Sequence, residues 1–306
     1  MTMNPRRIGL IGLGEVGRVL ANDLHRAESV ELCAWDRLFT VESSEPRRAA
    51  RSLSFVRAAS SMAEAVSGSS MVICAVTAGE CRAAAGDAAP ALTRGALYLD
   101  LNSVSPRTKT EAARTIEAAG GCYVEAAVMS PIGPKRIASP MWLGGPHARA
   151  FLPLAQSLGF AGANVYSDAI GAASAAKMCR SVIIKGMEAL LAESLLTARR
   201  HGVEDAVLAS LQDLFPVRDW RALARYMISR SLQHGRRRAE EMSEAVKTVA
   251  EAGFEPWMSR GSVERQHWAA EHVEALSHEA LTDMLDNMLA RTPAPAPQRS
   301  QEAGHR

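Results

Sequence analysis

The stretch GLIGLGEVGRVLANDL, Gly9 to Leu24, limits the fold of this 306-residue chain more than any other segment. An apolar run, RIGLIG at 7–12, ends in glycines at 12, 14 and 17, and an amphipathic helical pattern starts at once. Each glycine has its own reason to be there: Gly12 permits a tight turn, Gly14 lets the backbone approach a pyrophosphate, and Gly17 lets helix and strand pack closely. The helix N-terminus then offers its free amides to the phosphates. A second apolar run, VELCAW at 30–35, leads into Asp36, nineteen residues after Gly17. A carboxylate at that place can bond the ribose hydroxyls of adenosine. The combination predicts a dinucleotide site built from Gly12, Leu13, Gly14, Glu15, Val16, Gly17, Asp36 and Arg37, with Val76 and Thr77 at the end of a later strand. Asp36 favours NAD, because a carboxylate repels a 2′-phosphate, while the adjacent Arg37 could accept that phosphate and keeps NADP open.

The rest of the first half alternates short apolar runs with helical patterns, the signature of β-α units and a parallel sheet. Further strands are expected at LSFVR (53–57), MVICAV (71–76), ALYLDL (96–101), CYVEAAV (122–128) and MWLGG (141–145). Helix starts are marked by Ser60 or Ser61 before MAEAV, and by Ser105 followed by Pro106 at the first helical position. Strand signals stop at about residue 167, and the text is then helical to about 290. The expected fold is therefore α/β: a Rossmann-type doubly wound parallel sheet over 1–166, followed by an all-α domain over 167–292. That second domain begins with a long interdomain helix. The Pro-rich, charged end, 293–306, reads as a disordered tail.

Composition narrows the function classes. With 35 Lys+Arg against 33 Asp+Glu the net charge is +2, which gives no electrostatic footprint for nucleic acid or a membrane surface. Partners are then expected to be a small molecule or a second copy of the chain. The five cysteines, at 33, 74, 81, 122 and 179, are odd in number and never spaced C-x-x-C, which argues against a disulfide framework or a zinc site. His267 and His272 lack the spacing of a shared metal face, so no metal is expected. His201 before Gly202 reads as a helix end beside its cap. No apolar run has the length of a membrane span and no signal-peptide pattern opens the chain, so a cytoplasmic protein is expected.

Four segments in order, GLIGLGEVGRVLANDL, YLDLNSVSP, YVEAAVMSP and GAASAAKMCRS, resemble the β-hydroxyacid dehydrogenase family. That family includes 3-hydroxyisobutyrate and 6-phosphogluconate dehydrogenases, and its imine reductases share the architecture. The resemblance runs from residue 7 to about 200 and more loosely to about 280. It implies that the strand-end motif falls on LDLNSVSP, placing Asn102 and Ser103 beside nicotinamide and substrate, that the substrate loop falls on EAAVMSP with Met129 and Ser130, and that the catalytic lysine is Lys177. In the family this lysine exchanges a proton with the reacting oxygen while hydride passes to or from the cofactor. A homodimer formed through the helical domain is implied as well.

The departures from the family pattern are specific. Met129, Ser130 and Pro131 stand where the family has Ser-Gly-Gly, and Pro131 has no amide hydrogen to offer an anion. Ser181 replaces an asparagine four residues after the lysine, and the Lys-Asp-Leu motif of the helical domain is absent, with QHGRRRAEEMSEA in its region. A substrate other than the family's standard one is expected.

Helical spacing puts Lys177, Ser181, Ile184 and Glu188 on one stripe with Arg180 at its edge, like the wall of a cleft. Lysine titrates near about 10.4 when free, so acid/base work near neutrality requires its ammonium form to be disfavoured. Apolar neighbours and the nearby cation Arg180 both act that way. Arg180 and Ser181 are candidate substrate contacts, Arg180 gripping a carboxylate or phosphate or else pairing with a local acid. Arg236, Arg237 and Arg238 read either as a solvated helix face or as a source of one arginine for the substrate. The chemistry expected is hydride transfer between NAD or NADP and a small, anionic hydroxy acid or related carbonyl. An imine or ketone reductase, or a non-catalytic NAD(P)-sensing protein, is the alternative.

Overall fold

The structure is a computed structural model that describes residues 7–26, 30–214 and 219–291. By its contacts the chain divides into two compact units, one running to Ile183 and including Glu240–Gly261, the other Ile184–Ala239 with the residues from Ser262 on. The division therefore falls inside a long helix at 183/184 rather than at 166/167, and a later segment, 240–261, returns to the first unit. The physical reason is helix length: a helix of n residues is about 1.5n Å long, so the 29 residues of Ala172–Arg200 outreach one core. The tail expected at 293–306 lies outside the described residues.

In the first unit eight strands form one sheet: β1 (Arg7–Ile11), β2 (Glu31–Trp35), β3 (Val56–Ala58), β4 (Met71–Cys74), β5 (Leu97–Asp100), β6 (Cys122–Val128), β7 (Met141–Gly144) and β8 (Ala163–Ser167), in the order β3-β2-β1-β4-β5-β6-β7-β8. β3 through β6 in that order pair in parallel, with Ile8 opposite both Leu32 and Met71. This 3-2-1-4-5-6 order is the doubly wound Rossmann sheet. β7 joins antiparallel to β6, and β8 runs parallel to β7.

Between the strands lie α1 (Glu15–His25), α2 (Glu45–Ser52), α3 (Met62–Val66), α4 (Cys81–Ala88), α5 (Pro106–Ala118), α6 (Ile132–Lys135) and α7 (Ala148–Ser157). The side-chain period of a strand is two, and it sorts the core here onto two faces. Ile8, Leu10, Ile73, Leu99 and Val124 pack on one face, and Ile11, Val72, Cys74, Tyr98 and Tyr123 on the other. Ser61 and Ser105 cap α3 and α5 by accepting the amides of Glu64 and Thr108, as the sequence predicts.

One strand expectation is corrected, and one strand goes beyond those expected. The run at 53–57 gives a strand at 56–58, because Leu53 ends α2 by donating its amide to Ala49. β8 has no forecast in the sequence, since ANVYS is a short edge strand whose exposed positions include Asn164 and Tyr166.

The remaining helices are α8 (Ala172–Arg200), α9 (Glu204–Leu214), α10 (Trp220–Glu251), α11 (Trp257–Ala269) and α12 (Leu281–Ala290). α8 ends at Gly202 with a φ of +70°, the left-handed cap expected after His201. α10 is kinked at His234, where φ is −127°. The core of the second unit gathers Leu195, Ala224, Ile228, Ala269, Met284 and Leu285. No helix of the described residues is long and apolar enough to cross a membrane.

Candidate active site

The glycine turn has the form its sequence predicts. Gly12 sits at φ +91°, and a side chain there would run into the carbonyl of Ala75. A side chain at Gly17 would collide with the carbonyl of Gly12. A Cβ at Gly14, by contrast, would meet nothing within 4 Å, so the backbone at the start of α1 borders open space. Asp36 is fixed by two backbone amides, Leu13 N to Oδ2 and Leu38 N to Oδ1, each at 2.9 Å. Its carboxylate thus locks the turn to the end of β2, and these two bonds leave it further lone pairs. The exposed Arg37 pairs with Glu80 at 2.5 Å. Among cofactor candidates, Glu15 and Thr77 are exposed, Leu13 and Gly17 are buried, and Val16 and Val76 are half-buried.

Asn102 is buried and ties two strand ends together. Its Oδ1 accepts the Val76 amide at 2.7 Å and its Nδ2 reaches Cys74 Sγ at 3.3 Å. Beneath it, Asp100 collects the Asn102 amide, the Tyr123 hydroxyl at 2.6 Å and the Lys109 ammonium at 3.0 Å. Burial opposes the charge on Lys109, yet Asp100 and its other acidic neighbours outweigh burial and hold its pKa above the usual lysine value. Burial and Asp100 push the Cys74 thiol up to about 12, so it is a packed group and not a nucleophile.

Lys177, on the first turns of α8, donates from Nζ to Ser103 Oγ at 2.5 Å. Two predicted residues, from a strand-end loop and a helix 74 positions later, are therefore in direct contact. The contact depends on how α8 starts. Glu125, buried in β6, accepts the amides of Gly171 and Ser174, both at 2.6 Å, and the Ser174 hydroxyl donates to the Val104 carbonyl. The carboxylate thus satisfies orphan donors at the N-terminus of α8, although burial raises its pKa above the usual glutamate value. Gly144 leaves room for it, since a Cβ there would lie 2.7 Å from Glu125 Oε2.

The start of α5 is held in the same manner. Glu244 accepts the Ser105 amide at 2.8 Å, and Glu251 accepts the Ser105 hydroxyl at 2.8 Å and the Arg107 amide at 3.2 Å.

The remaining predicted residues are spread more widely. Met129 is half-buried and its amide bonds Pro140, while the Ser130 hydroxyl reaches only the Pro131 carbonyl at 3.3 Å. Ser181 is buried one turn beyond Lys177. Arg180 is exposed and makes no ion pair among the described residues, so the alternative of a local acid partner finds none there. The arginine run divides: Arg236 and Arg237 are exposed, whereas Arg238 turns inward within the second unit and pairs with the buried Glu188 at 2.5 Å. Burial raises the pKa of Glu188, and Arg238 opposes that.

Glu125, Lys109, Glu80 and Glu188's pairing were not foreseen as parts of a site. The signal for Glu125 was present, a lone acid in the middle of a buried apolar strand, where an unpaired carboxylate is not tolerated.

Fold and site together define a Rossmann-type dinucleotide-binding protein with a lysine-bearing helix behind the strand ends. A family model described as the NAD binding domain of 6-phosphogluconate dehydrogenase matches residues 7–171, and a domain of unknown function (DUF1932) matches 198–269. The structure of a conserved hypothetical protein from Sinorhizobium meliloti 1021 is similar with a TM-score of 0.73 at 33% identity, over 95% of this chain and 98% of that one. Mitochondrial 3-hydroxyisobutyrate dehydrogenase of Rattus norvegicus is 24% identical over 70% of this chain, which spans 63% of that protein's length. An imine reductase of Streptomyces aurantiacus shares the fold, with a TM-score of 0.54 at 17% identity, over 92% of this chain and 99% of that one. The chain belongs to the β-hydroxyacid dehydrogenase family.

Proposed function

We propose that the protein is an NAD(P)-dependent oxidoreductase acting on a small, anionic hydroxy acid or related carbonyl, with Lys177 as its general acid and base. The observation that carries this is the 2.5 Å bond from Lys177 Nζ to Ser103 Oγ in a chain that has an intact glycine turn. A bound nicotinamide dinucleotide would supply the hydride transfer. The chain's own part is to hold phosphates on the α1 amides, the ribose on Asp36, and a proton at Lys177 Nζ. Ser103 fixes that ammonium in place, so it can give a proton to a substrate oxygen or, as the free amine, take one away. Arg180, exposed one turn from Lys177, is suited to a carboxylate or phosphate on the substrate. It would offset the loss of the amide that Pro131 cannot provide. Support for NAD comes from Asp36, whose fixed carboxylate opposes a 2′-phosphate. We also propose a homodimer formed through the helical unit, where Leu190 and Val203 are exposed.

Purified protein is incubated with NAD or NADP and a panel of hydroxy acids, polyols and phosphorylated sugar acids while reduced cofactor is followed. Lys177→Ala is expected to lower kcat by about 10²–10⁴-fold, the range for lost acid/base catalysis, while cofactor still binds. Full activity of that variant on a substrate that turns over rules out the assigned role. Tight cofactor binding with no substrate turned over favours a sensing protein.

A further inference from the structure

The strand order sets β1 between β2 and β4. The loop that carries Asp36 and Arg37 leaves β2, and the loop that carries Thr77, Gly79 and Glu80 leaves β4. These two loops flank the glycine turn that leaves β1, and both stay bonded to it, Gly12 N to Trp35 O at 2.9 Å and Ala75 N to Ile11 O at 2.8 Å. The ion pair from Arg37 to Glu80, at 2.5 Å, therefore bridges from one flank to the other across the turn. The space beside it is open, since a Cβ on Gly14 or on Gly79 would meet nothing within 4 Å.

The other arginines of this region are tied elsewhere. Arg18 pairs with Glu45, Arg47 and Arg51 pair with Glu42, and Arg48 bonds the Ser43 carbonyl. Arg37 is the one beside Asp36, and so the one placed to meet a group on the adenosine ribose.

We propose that Glu80 is a specificity-determining residue for the cofactor: by pairing with Arg37 across the glycine turn it withholds the arginine from a ribose 2′-phosphate and selects NAD over NADP. This rests on the dinucleotide-binding reading given above. The electrostatics are simple. Two carboxylates, Asp36 and Glu80, stand against one guanidinium, so the rim at the ribose is net negative and opposes a dianionic phosphate. An exposed ion pair is weak, and a phosphate is a strong bidentate partner for arginine, so the arginine by itself would accept the phosphate. Taking Arg37 away, however, leaves Glu80 unpaired beside the incoming phosphate. With Glu80 neutral, that penalty disappears and the rim carries one charge of each sign.

The test titrates NADH and NADPH into the 306-residue chain and follows cofactor fluorescence, for wild type, Glu80→Gln and Glu80→Gln/Arg37→Gln. Glu80→Gln is expected to lower the ratio of Kd for NADPH to Kd for NADH by about tenfold, the size of one lost charge contact at a partly exposed site. Adding Arg37→Gln is expected to return most of that change. A ratio within about twofold of wild type in Glu80→Gln overturns the assignment, and so does a gain that survives the loss of Arg37. If wild type binds neither dinucleotide, the cofactor reading falls and this inference with it. If it binds NADH and the ratio does not move, only Glu80 loses its role.

Discussion

Lys109 and Asp100 are both 1% exposed and meet at 3.0 Å beneath the loop that carries Asn102 and Ser103. A charge so deep survives only when it is paired and hydrogen-bonded. Lys109 also donates to the Asp100 carbonyl at 2.9 Å, and Asp100 takes the Tyr123 hydroxyl, so the pair is satisfied on both sides. Lys109→Met leaves the carboxylate buried and uncompensated, which costs roughly 3–5 kcal/mol. Chemical denaturation of the variant against wild type measures this. The pH dependence has a definite sign. The Lys109 pKa is raised in the folded chain above the ordinary lysine value of 10.5, so its contribution is fully present below that pH and is lost as pH rises through the folded value. Wild type is therefore expected to lose stability on the alkaline side of 10.5, and Lys109→Met to lose this part of the profile. A parallel decline in both proteins would assign the alkaline loss to other groups. Asp100 was visible in the sequence as part of LDLNSVSP. Lys109 was harder to see, because a lysine three and seven residues before the buried Ala112 and Ile116 reads as a helix face until the sheet beneath it is known.

At the scale of elements, the site depends on where α8 begins. The helix was legible from its composition, and Lys177 from the family pattern. What fixes its height on the sheet was not, because the fixing group is a side chain of β6, 46 residues before Gly171. Glu125→Gln retains the shape but replaces one acceptor oxygen by an amide group that faces a backbone N–H, so one orphan donor of the helix is left unsatisfied. The first turn then shifts, and Lys177 with it. Misplacement of a reacting group by about 1 Å can cost on the order of 10²-fold, and a drop in kcat of about tenfold or more is expected. The Kd for cofactor should move much less, since the glycine turn and Asp36 do not touch Glu125. Rescue by Glu125→Asp is not expected, because the shorter side chain falls short of the two amides. Kinetics at saturating substrate, with cofactor titration beside them, separate these effects. A variant that loses cofactor affinity and kcat in equal measure would show that the change acts on the whole unit. β8 was hidden for a different reason: an edge strand packs one face only, and five residues hold too few apolar positions to show a period.

For the molecule as a whole, sequence and structure agree on an α/β part and a helical part but differ on where one ends. Loss of strand signal after residue 167 marks the end of the sheet, not the end of the unit. α8 runs for 29 residues, and the division between the units falls within it at 183/184 and within α10 at 239/240. Composition cannot show this, because the apolar positions of α8 run on through Val182, Ile183 and Ile184 without a break at the boundary. The consequence is a prediction about cooperativity. Helix formation is cooperative along the backbone, so two units that share continuous helices should unfold together. Ile183 is 64% exposed, so its side chain can be changed with little loss of packing. Ile183→Pro removes one backbone hydrogen bond and sets the proline ring against the carbonyl of Cys179, at a cost of about 3 kcal/mol. Calorimetry is expected to show a single main transition for wild type and two for the variant, the first carrying the Rossmann unit's dinucleotide response. NADH, which stabilises only the state that binds it, should then raise one of the two transitions and leave the other in place. A single transition that merely moves down would show that the coupling does not pass through α8.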